Sequence, residues 1–218
     1  KNRRKDYIKL ITEKMIPEVA KRKLAAFCDI FCEKGVFGIE ESREILTVAK
    51  EHGFKLKLHA DQLSPLGGAK LAAELGAVSA DHLEFIDEEG IRVMKKAGVI
   101  GVLLPGACFG LGIKEYPPAR IMIDDGLPIA LATDFNPGSS MTESMPIILS
   151  LACLMMKMTP AEAITASTIN SACAVNKASE VGSIEEGKKA DMVIWNVQNY
   201  KEIPYHYGVN LIDQVIKY

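Results

Sequence analysis

Four apolar segments recur along the chain at intervals of 23, 22 and 28 residues, each directly after a glycine: Gly53, Gly76, Gly98 and Gly126. Glycine adopts the left-handed conformation that ends a helix at little cost, so each glycine predicts a helix end followed by a strand. A fifth apolar segment, residues 24–31, lies one interval upstream. Strands that alternate with helices at this spacing predict a parallel sheet covered by helices.

Two architectures are compatible with this alternation: an open doubly wound sheet and a (β/α)8 barrel of the TIM type. Open sheets that bind dinucleotides carry a G-x-G-x-x-G turn after a strand, and no such turn follows a predicted strand here. A barrel places its working residues at the C-terminal ends of its strands, which is where polar residues cluster in this chain. A complete barrel has eight strands, so we expect the C-terminal portion of one, with about five βα units.

We assign this partial barrel to residues 1–178. Its last predicted helix opens with a capping box at Thr159 and is expected to run to about Cys173. After about Ser179 the sequence is rich in turn residues, and strands are predicted at residues 192–195 and 211–216. Residues 179–218 are therefore predicted to form a small β appendage.

The overall composition argues against several classes of partner. Lysine and arginine number 26 against 28 aspartates and glutamates, a net charge of -2, so nucleic acid is not expected as a partner. No apolar run reaches the roughly 18 residues of a membrane span, so no membrane partner is expected either. Five cysteines, an odd number without paired spacing, are typical of the reducing cytoplasm.

Three side chains that could bind a metal follow predicted strands: His59, His82 and Asp134. An imidazole at the mouth of a barrel is a good metal ligand or general base, and neighbouring strands place both histidines on one face. Either histidine could instead be structural, and Asp134 could form an Asx turn with the loop after it. With two histidines on one rim, we favour Asp134 as a metal ligand, a proton acceptor for a metal-bound water, or both.

Polar groups around these strand ends could hold a substrate. The loop with Asn136, Gly138 and Ser139 offers backbone N–H groups and an amide for a carboxylate or amide of a substrate. Gln62 cannot accept a proton, but its amide can bind an N–H and a C=O group together. Glu33, at the end of the first predicted strand, would either face the same mouth or form a surface salt bridge.

Several segments together resemble the imidazolonepropionases, a family within the amidohydrolase superfamily. The segments are residues 29–37 (DIFCEKGVF), 58–62 (LHADQ), 79–84 (SADHLE), 132–139 (ATDFNPGS), 166–170 (ASTIN), 187–191 (GKKAD) and 204–210 (PYHYGVN). No single motif is decisive, but their order and context make the resemblance specific over essentially the whole chain.

The resemblance implies a (β/α)8 barrel with an attached β-sandwich, and a cytoplasmic homodimer that acts on a small molecule. The implied reaction is the metal-dependent hydrolysis of 4-imidazolone-5-propanoate to N-formimidoyl-L-glutamate in histidine degradation, with one Zn²⁺ or Fe²⁺ per complete chain. The implied site consists of His59 and Asp134 as metal ligands, Asp134 and His82 as catalytic residues, and Gln62, Asn136, Gly138 and Ser139 as substrate-binding residues.

The chain departs from the family in ways that keep alternatives open. The family's H-x-H pair of metal ligands does not occur, and the first three barrel strands have no counterpart. Gln62 occupies a position where many members carry a glutamate, which weakens an acid–base role there. The alternatives are another cyclic amidohydrolase on the same barrel, or a catalytically incomplete fragment that folds by association. A nucleotide-binding domain is disfavoured because the phosphate loop is absent.

Overall fold

The structure is a computed structural model that describes residues 2–218. The chain forms two compact units, Lys1–Val99 and Ile100–Tyr218. The elements of the first unit are helix α1 (Asn2–Leu10), a π-helical segment (Ile11–Met15), α2 (Ile16–Lys21), β1 (Phe27–Cys32), α3 (Ile39–Glu51), β2 (Lys55–Ala60), α4 (Gly68–Leu75), β3 (Ser79–His82) and α5 (Glu88–Ala97). Those of the second unit are β4 (Ile100–Leu103), α6 (Pro105–Leu111), α7 (Ala119–Asp125), β5 (Ile129–Leu131), α8 (Met145–Met155), α9 (Pro160–Ser167), α10 (Ile169–Ala174), β6 (Met192–Trp195), α11 (Glu202–Tyr205) and β7 (Ile212–Ile216).

In the first unit the strands β1, β2 and β3 pair in parallel in that order. One face of this sheet is apolar and packs against α3 and α4, with Ile30, Leu58 and Ala80 at most 5% exposed. Successive side chains of a strand point to opposite faces, so the intervening residues form the other face. That second face is mainly polar and carries Asp29, Lys57, His59, Ser79 and Asp81 beside the rings of Phe27 and Phe31.

The helices of the first unit begin and end where local chemistry requires it. The carboxylate of Asp87 accepts a hydrogen bond from the Gly90 amide at 2.7 Å and caps the N-terminus of α5. Gly76 and Gly98, with φ of 68° and 72°, end α4 and α5 in the left-handed conformation. The predicted helix ends before β3 and β4 are therefore confirmed.

In the second unit β4 and β5 pair in parallel, and β6 and β7 form an antiparallel two-stranded sheet. A core cluster joins the parallel pair to α10 and consists of Ile100, Val102, Leu104, Ala130 and Ala174. Among the described residues 2–218, no helix combines the length and the apolar character needed to cross a bilayer.

The five parallel strands, their helices and the strands β6 and β7 agree with the sequence-based prediction of an α/β fold. The helix expected to run from the capping box at Thr159 to about Cys173 is instead two helices. It breaks at Thr168, whose φ and ψ are -119° and -97°. Hydrogen bonds from Asn170 Nδ2 to the Ile129 carbonyl (2.8 Å) and from Ser171 Oγ to the Leu131 carbonyl (2.9 Å) attach the second helix to β5. These two bonds hold α10 against β5 after the break.

Two parts of the sequence-based organisation remain predictions. In the described part of the tail, the strands β6 and β7 form a two-stranded sheet, so a β-sandwich stays a prediction. The division into residues 1–178 and 179–218 likewise stays a prediction beside the two compact units of the structure.

Candidate functional site

The first unit brings His59 and His82 together at the C-terminal ends of β2 and β3. Their ring centroids are 5.1 Å apart, with 44° between the ring planes. His82 pairs with Ala60 in register, so regular alternation would direct its side chain to the helix-covered face. Its φ of 81°, followed by 70° at Leu83, interrupts the alternation at this point. A left-handed backbone in non-glycine residues stores strain, and such residues concentrate at functional sites.

Carboxylates lie beside both imidazoles. Oδ2 of Asp29 is 2.8 Å from Nδ1 of His59, and Oε1 of Glu84 is 3.6 Å from Nδ1 of His82. The side chains of His82 and Glu84 are only 2% and 1% exposed, so their interaction takes place away from bulk water. The ring of Phe31 packs 5.7 Å from that of His59. An imidazole beside a carboxylate can bind a cation through its other nitrogen or transfer a proton.

A polar chain continues from His59 to β3. Asp29, His59 and Asp81 each offer one ligand atom within 4.8 Å of the others. Burial raises the pKa of Asp81, and the nearby Lys57 ammonium, whose Nζ is 3.7 Å away, opposes that rise. Ser79 donates a hydrogen bond to Oδ1 of Asp81 at 2.7 Å. Lys57 therefore acts as the local counter-ion for Asp81.

Sequence reasoning did not identify Asp29, Asp81 or Glu84. A signal for the first two is present in the alternation of residues along the strands. Asp29 and Phe31 share a face of β1, and both lie on the face that carries His59 and Asp81. The contact of Glu84 with His82 depends on the left-handed turn after β3, for which the residue types give no signal.

Glu33 organises the loop after β2, and the surface salt bridge predicted as one alternative for it is wrong. Its side chain is buried, with the residue 1% exposed, while its orientation toward the mouth at the strand ends stays a prediction. It accepts hydrogen bonds from the backbone amides of Lys34 and Leu63, each at 2.8 Å, and from the Ser64 hydroxyl. Burial alone would raise the pKa of Glu33, but these hydrogen bonds outweigh burial and lower it.

Asp61 anchors the same loop at the start of α4. Its Oδ1 accepts from the amides of Gly67 (2.6 Å) and Gly68 (3.1 Å), and its Oδ2 accepts from Ala69 (2.9 Å). Gln62 lies between the two anchored positions and is 9% exposed. The hydrogen bonds of Asp61 and Glu33 therefore hold the loop on either side of Gln62.

In the second unit, Asp134 and the loop after it form a compact turn. Asp134 has a φ of 52°, and Asn136 Nδ2 donates to its carbonyl at 2.7 Å and to Ser139 Oγ at 2.9 Å. Asn136 Oδ1 accepts from the amides of Gly138 (2.8 Å) and Ser139 (2.9 Å). The Asx turn is thus made by Asn136 and not by Asp134. The two backbone donors expected to hold a substrate are already bonded within the turn, and Asp134 Oδ2 has Ser139 Oγ at 3.4 Å.

The sequence is similar to those of known proteins over nearly the whole chain. The sequence model of the amidohydrolase family matches residues 9–216. The chain is 56% identical over 217 residues to an imidazolonepropionase of Geobacillus thermodenitrificans. That match covers 100% of this chain and 51% of the relative. It is 52% identical over 211 residues to an imidazolonepropionase of Alkaliphilus metalliredigens, with 97% and 50% covered. The chain therefore spans about half the length of the curated relatives it matches.

Solved structures share the fold at lower identity. An adenosine deaminase of Xanthomonas campestris superimposes with a TM-score of 0.71 at 19% identity, over 87% of this chain and 49% of that one. A Xaa-Pro dipeptidase superimposes with a TM-score of 0.70 at 21% identity, over 93% and 56%. These likenesses support a partial barrel of the TIM type as the architecture of the chain.

Proposed function

Because this chain belongs to the amidohydrolase family, we propose that it provides the C-terminal part of an imidazolonepropionase. The reaction is hydrolysis of the cyclic amide 4-imidazolone-5-propanoate to N-formimidoyl-L-glutamate, a step of histidine degradation. The observation that carries the proposal is the 56% identity to an imidazolonepropionase over essentially the whole chain. A small-molecule substrate, a homodimer and a cytoplasmic location belong to the same proposal.

We propose His59 and Asp134 as ligands of a Zn²⁺ or Fe²⁺ ion. The donor types fit such an ion, since imidazole nitrogen and carboxylate oxygen both bind these metals. Oδ2 of Asp29 lies 2.8 Å from Nδ1 of His59, so a carboxylate stands beside the proposed ligand. When bound, the divalent cation would lower the pKa of a water molecule and polarise the ring carbonyl of the substrate.

The residues of the chain would then perform the proton transfers. Asp134 accepts a proton from the water that attacks the ring carbonyl and returns it to the ring nitrogen as the C–N bond breaks. His82 donates a hydrogen bond to the carbonyl oxygen and stabilises the negative charge that develops there. The burial of His82, which is 2% exposed, favours this role because an electrostatic interaction is stronger away from water.

Substrate binding is proposed for Gln62, Asn136, Gly138 and Ser139. The amide of Gln62 can bind a ring N–H and C=O. Asn136 holds Gly138 and Ser139 in the turn, so its contribution is to shape the pocket wall as much as to bind directly. A glutamate-to-glutamine difference at residue 62 leaves hydrogen bonding in place and removes a titratable group.

The test is hydrolysis of 4-imidazolone-5-propanoate by the complete imidazolonepropionase of which this chain is proposed to be the C-terminal part, with one equivalent of Zn²⁺ or Fe²⁺. Turnover is expected in the starting protein, with a loss of at least about 10³-fold in His59→Ala and in Asp134→Ala. His52→Ala, at an exposed helix end, is the matched control and keeps full activity. Retained turnover in either site variant defeats the assignment, and faster turnover of another cyclic amide assigns the chain to a different amidohydrolase.

A catalytically incomplete chain is the second candidate, because no H-x-H pair occurs among its four histidines. In that case the chain binds neither metal and turns over no substrate, while its fold and relatedness are unchanged. Metal content and intact mass, measured on the same purified sample, separate the two candidates.

A further inference from the structure

We propose that Ser140 is a positioning residue for Asp134, because its hydroxyl holds the Thr133 carbonyl and so sets the backbone from which the Asp134 side chain projects. The inference rests on the proposed function, since Asp134 is taken there as the residue that transfers protons. The juxtaposition that carries it is the hydrogen bond from Ser140 Oγ to the Thr133 carbonyl oxygen, at 2.6 Å.

The backbone of Asp134 is held from both sides. The Thr133 carbonyl belongs to the peptide plane before Asp134, and the Asp134 carbonyl, which accepts from Asn136 Nδ2 at 2.7 Å, belongs to the plane after it. Because each peptide unit is planar, fixing both planes fixes the two dihedral angles of Asp134 between them. The φ of 52° at Asp134 is uncommon in a residue that has a side chain. The two hydrogen bonds therefore stabilise a conformation that is otherwise disfavoured.

Ser140 is itself fixed in place and is only 2% exposed. Its backbone joins the turn, since its amide donates to the Asn136 carbonyl at 3.3 Å and its carbonyl accepts from the Asn136 amide at 3.0 Å. A Cβ on Gly106 of α6 would lie 2.7 Å from Ser140 Oγ and 3.3 Å from the Thr133 carbonyl oxygen. The lack of a side chain on Gly106 therefore lets α6 lie directly against this hydrogen bond.

The neighbouring hydroxyl of Ser139 has a different place in the turn. Its Oγ lies 3.4 Å from Asp134 Oδ2, so it reaches the carboxylate, whereas Ser140 acts on the backbone. Removing the Ser140 hydroxyl would thus change the direction of the Asp134 side chain without removing a group from the proposed reaction. A displacement of about 1 Å in a catalytic group can lower a rate about 100-fold, so the effect should appear in kcat.

The test compares Ser140→Ala with Ser150→Ala in the complete imidazolonepropionase of which this chain is proposed to be the C-terminal part. Ser150 is a matched control, because it is 1% exposed and its Oγ donates to the Pro204 carbonyl at 2.8 Å, joining α8 to α11. Both variants lose one hydroxyl-to-carbonyl bond, so similar decreases of the urea midpoint are expected. Ser140→Ala should lower kcat about 10- to 100-fold and leave KM within about threefold, while Ser150→Ala keeps both constants.

Crystal structures of the two variants give a readout that is independent of turnover. The φ of Asp134 is expected to leave the left-handed region in Ser140→Ala and to stay near 52° in Ser150→Ala. A φ that stays near 52° in Ser140→Ala overturns the proposal, and so does an equal loss of kcat in both variants or an unchanged kcat in Ser140→Ala. Asp134→Ala separates this proposal from the proposed function. If that variant retains turnover, the proton transfer assigned to Asp134 fails, while the φ measured in Ser140→Ala still decides whether Ser140 sets the backbone of Asp134.

Discussion

Glu33 gives the sharpest test of how the loop beside the candidate site is held. In Glu33→Gln, the amide oxygen can still accept from two donors, but the NH₂ group must face a third. Taking the oxygen toward Lys34 and Ser64, the part-buried Leu63 N–H then loses its acceptor. A fully buried donor left unsatisfied costs about 1–3 kcal/mol and a part-buried one less, while loss of the charge weakens the other two bonds. We therefore expect the free energy of unfolding to fall by about 1–3 kcal/mol at pH 7.

The pH dependence of this difference follows from the lowered pKa of Glu33. A carboxyl with a depressed pKa in the folded state contributes stability that is present above its unfolded pKa of about 4.3. The contribution is lost as the pH falls through the folded pKa. Glutamine does not titrate, so the difference between the two proteins should be full at pH 7 and shrink below about pH 4.

The assay is urea unfolding followed by circular dichroism, together with hydrogen exchange of the Leu63 amide. Glu40→Gln is the matched control, because its side chain is 83% exposed with Arg43 at 3.4 Å, and a change within about 0.5 kcal/mol is expected. Equal stabilities of Glu33→Gln and the starting protein at pH 7 would refute the reasoning. A difference that stays constant down to pH 3 would refute the electrostatic part.

Three further predictions concern single positions. Gly68→Ala would place a Cβ 2.8 Å from the Ala60 Cβ, and we expect the free energy of unfolding in urea or on heating to fall by about 1–3 kcal/mol. Gly38→Ala is the control, because its new Cβ would have its nearest atom at 3.9 Å, and a loss of less than about 1 kcal/mol is expected. In Asp61→Asn, one of the three backbone donors at the start of α4 faces an amide NH₂ group, so the free energy of unfolding should fall by about 1–3 kcal/mol. Hydrogen exchange of the first α4 amides should become faster, and an unchanged exchange rate would contradict this. The pKa of Glu162 is lowered to about 2, chiefly by the hydrogen bond from an arginine. Its contribution of about 1 kcal/mol should be present above pH 4.3 and vanish toward pH 2, so Glu162→Gln should differ from the starting protein only at the higher pH in acid unfolding.

On the polar face of the first unit, the residue pattern predicted part of the arrangement of His59 and His82. His59 and His82 were predicted to share a rim, because each ends a strand and parallel strands end at one edge. The approach of their rings to 5.1 Å depends on the left-handed φ of His82. Positive φ is uncommon in any residue other than glycine, so the packed structure was needed to reveal it at His82.

The contacts of Glu33 and Asn136 could not be predicted from the sequence. Glu33 joins β1 to a loop 30 residues away in the chain, and no local pattern signals such a partner. Asn136 was expected to face a substrate, and the structure places its amide within its own turn. In both cases the polar side chain holds backbone groups of a loop, an arrangement that the residue types did not indicate.

The amino-acid sequence by itself determined the alternation of strands and helices, the helix-ending glycines and the positions at which histidine and aspartate follow strands. Those features are local, because periodicity, capping and turn chemistry act over a few residues. The tertiary structure alone decided the break at Thr168, the burial of Glu33 and the contact of Asp29 with His59. These features depend on register and packing between segments that are distant in the chain. The energy of each such contact is set by the partner and by burial, and not by the residues adjacent in sequence.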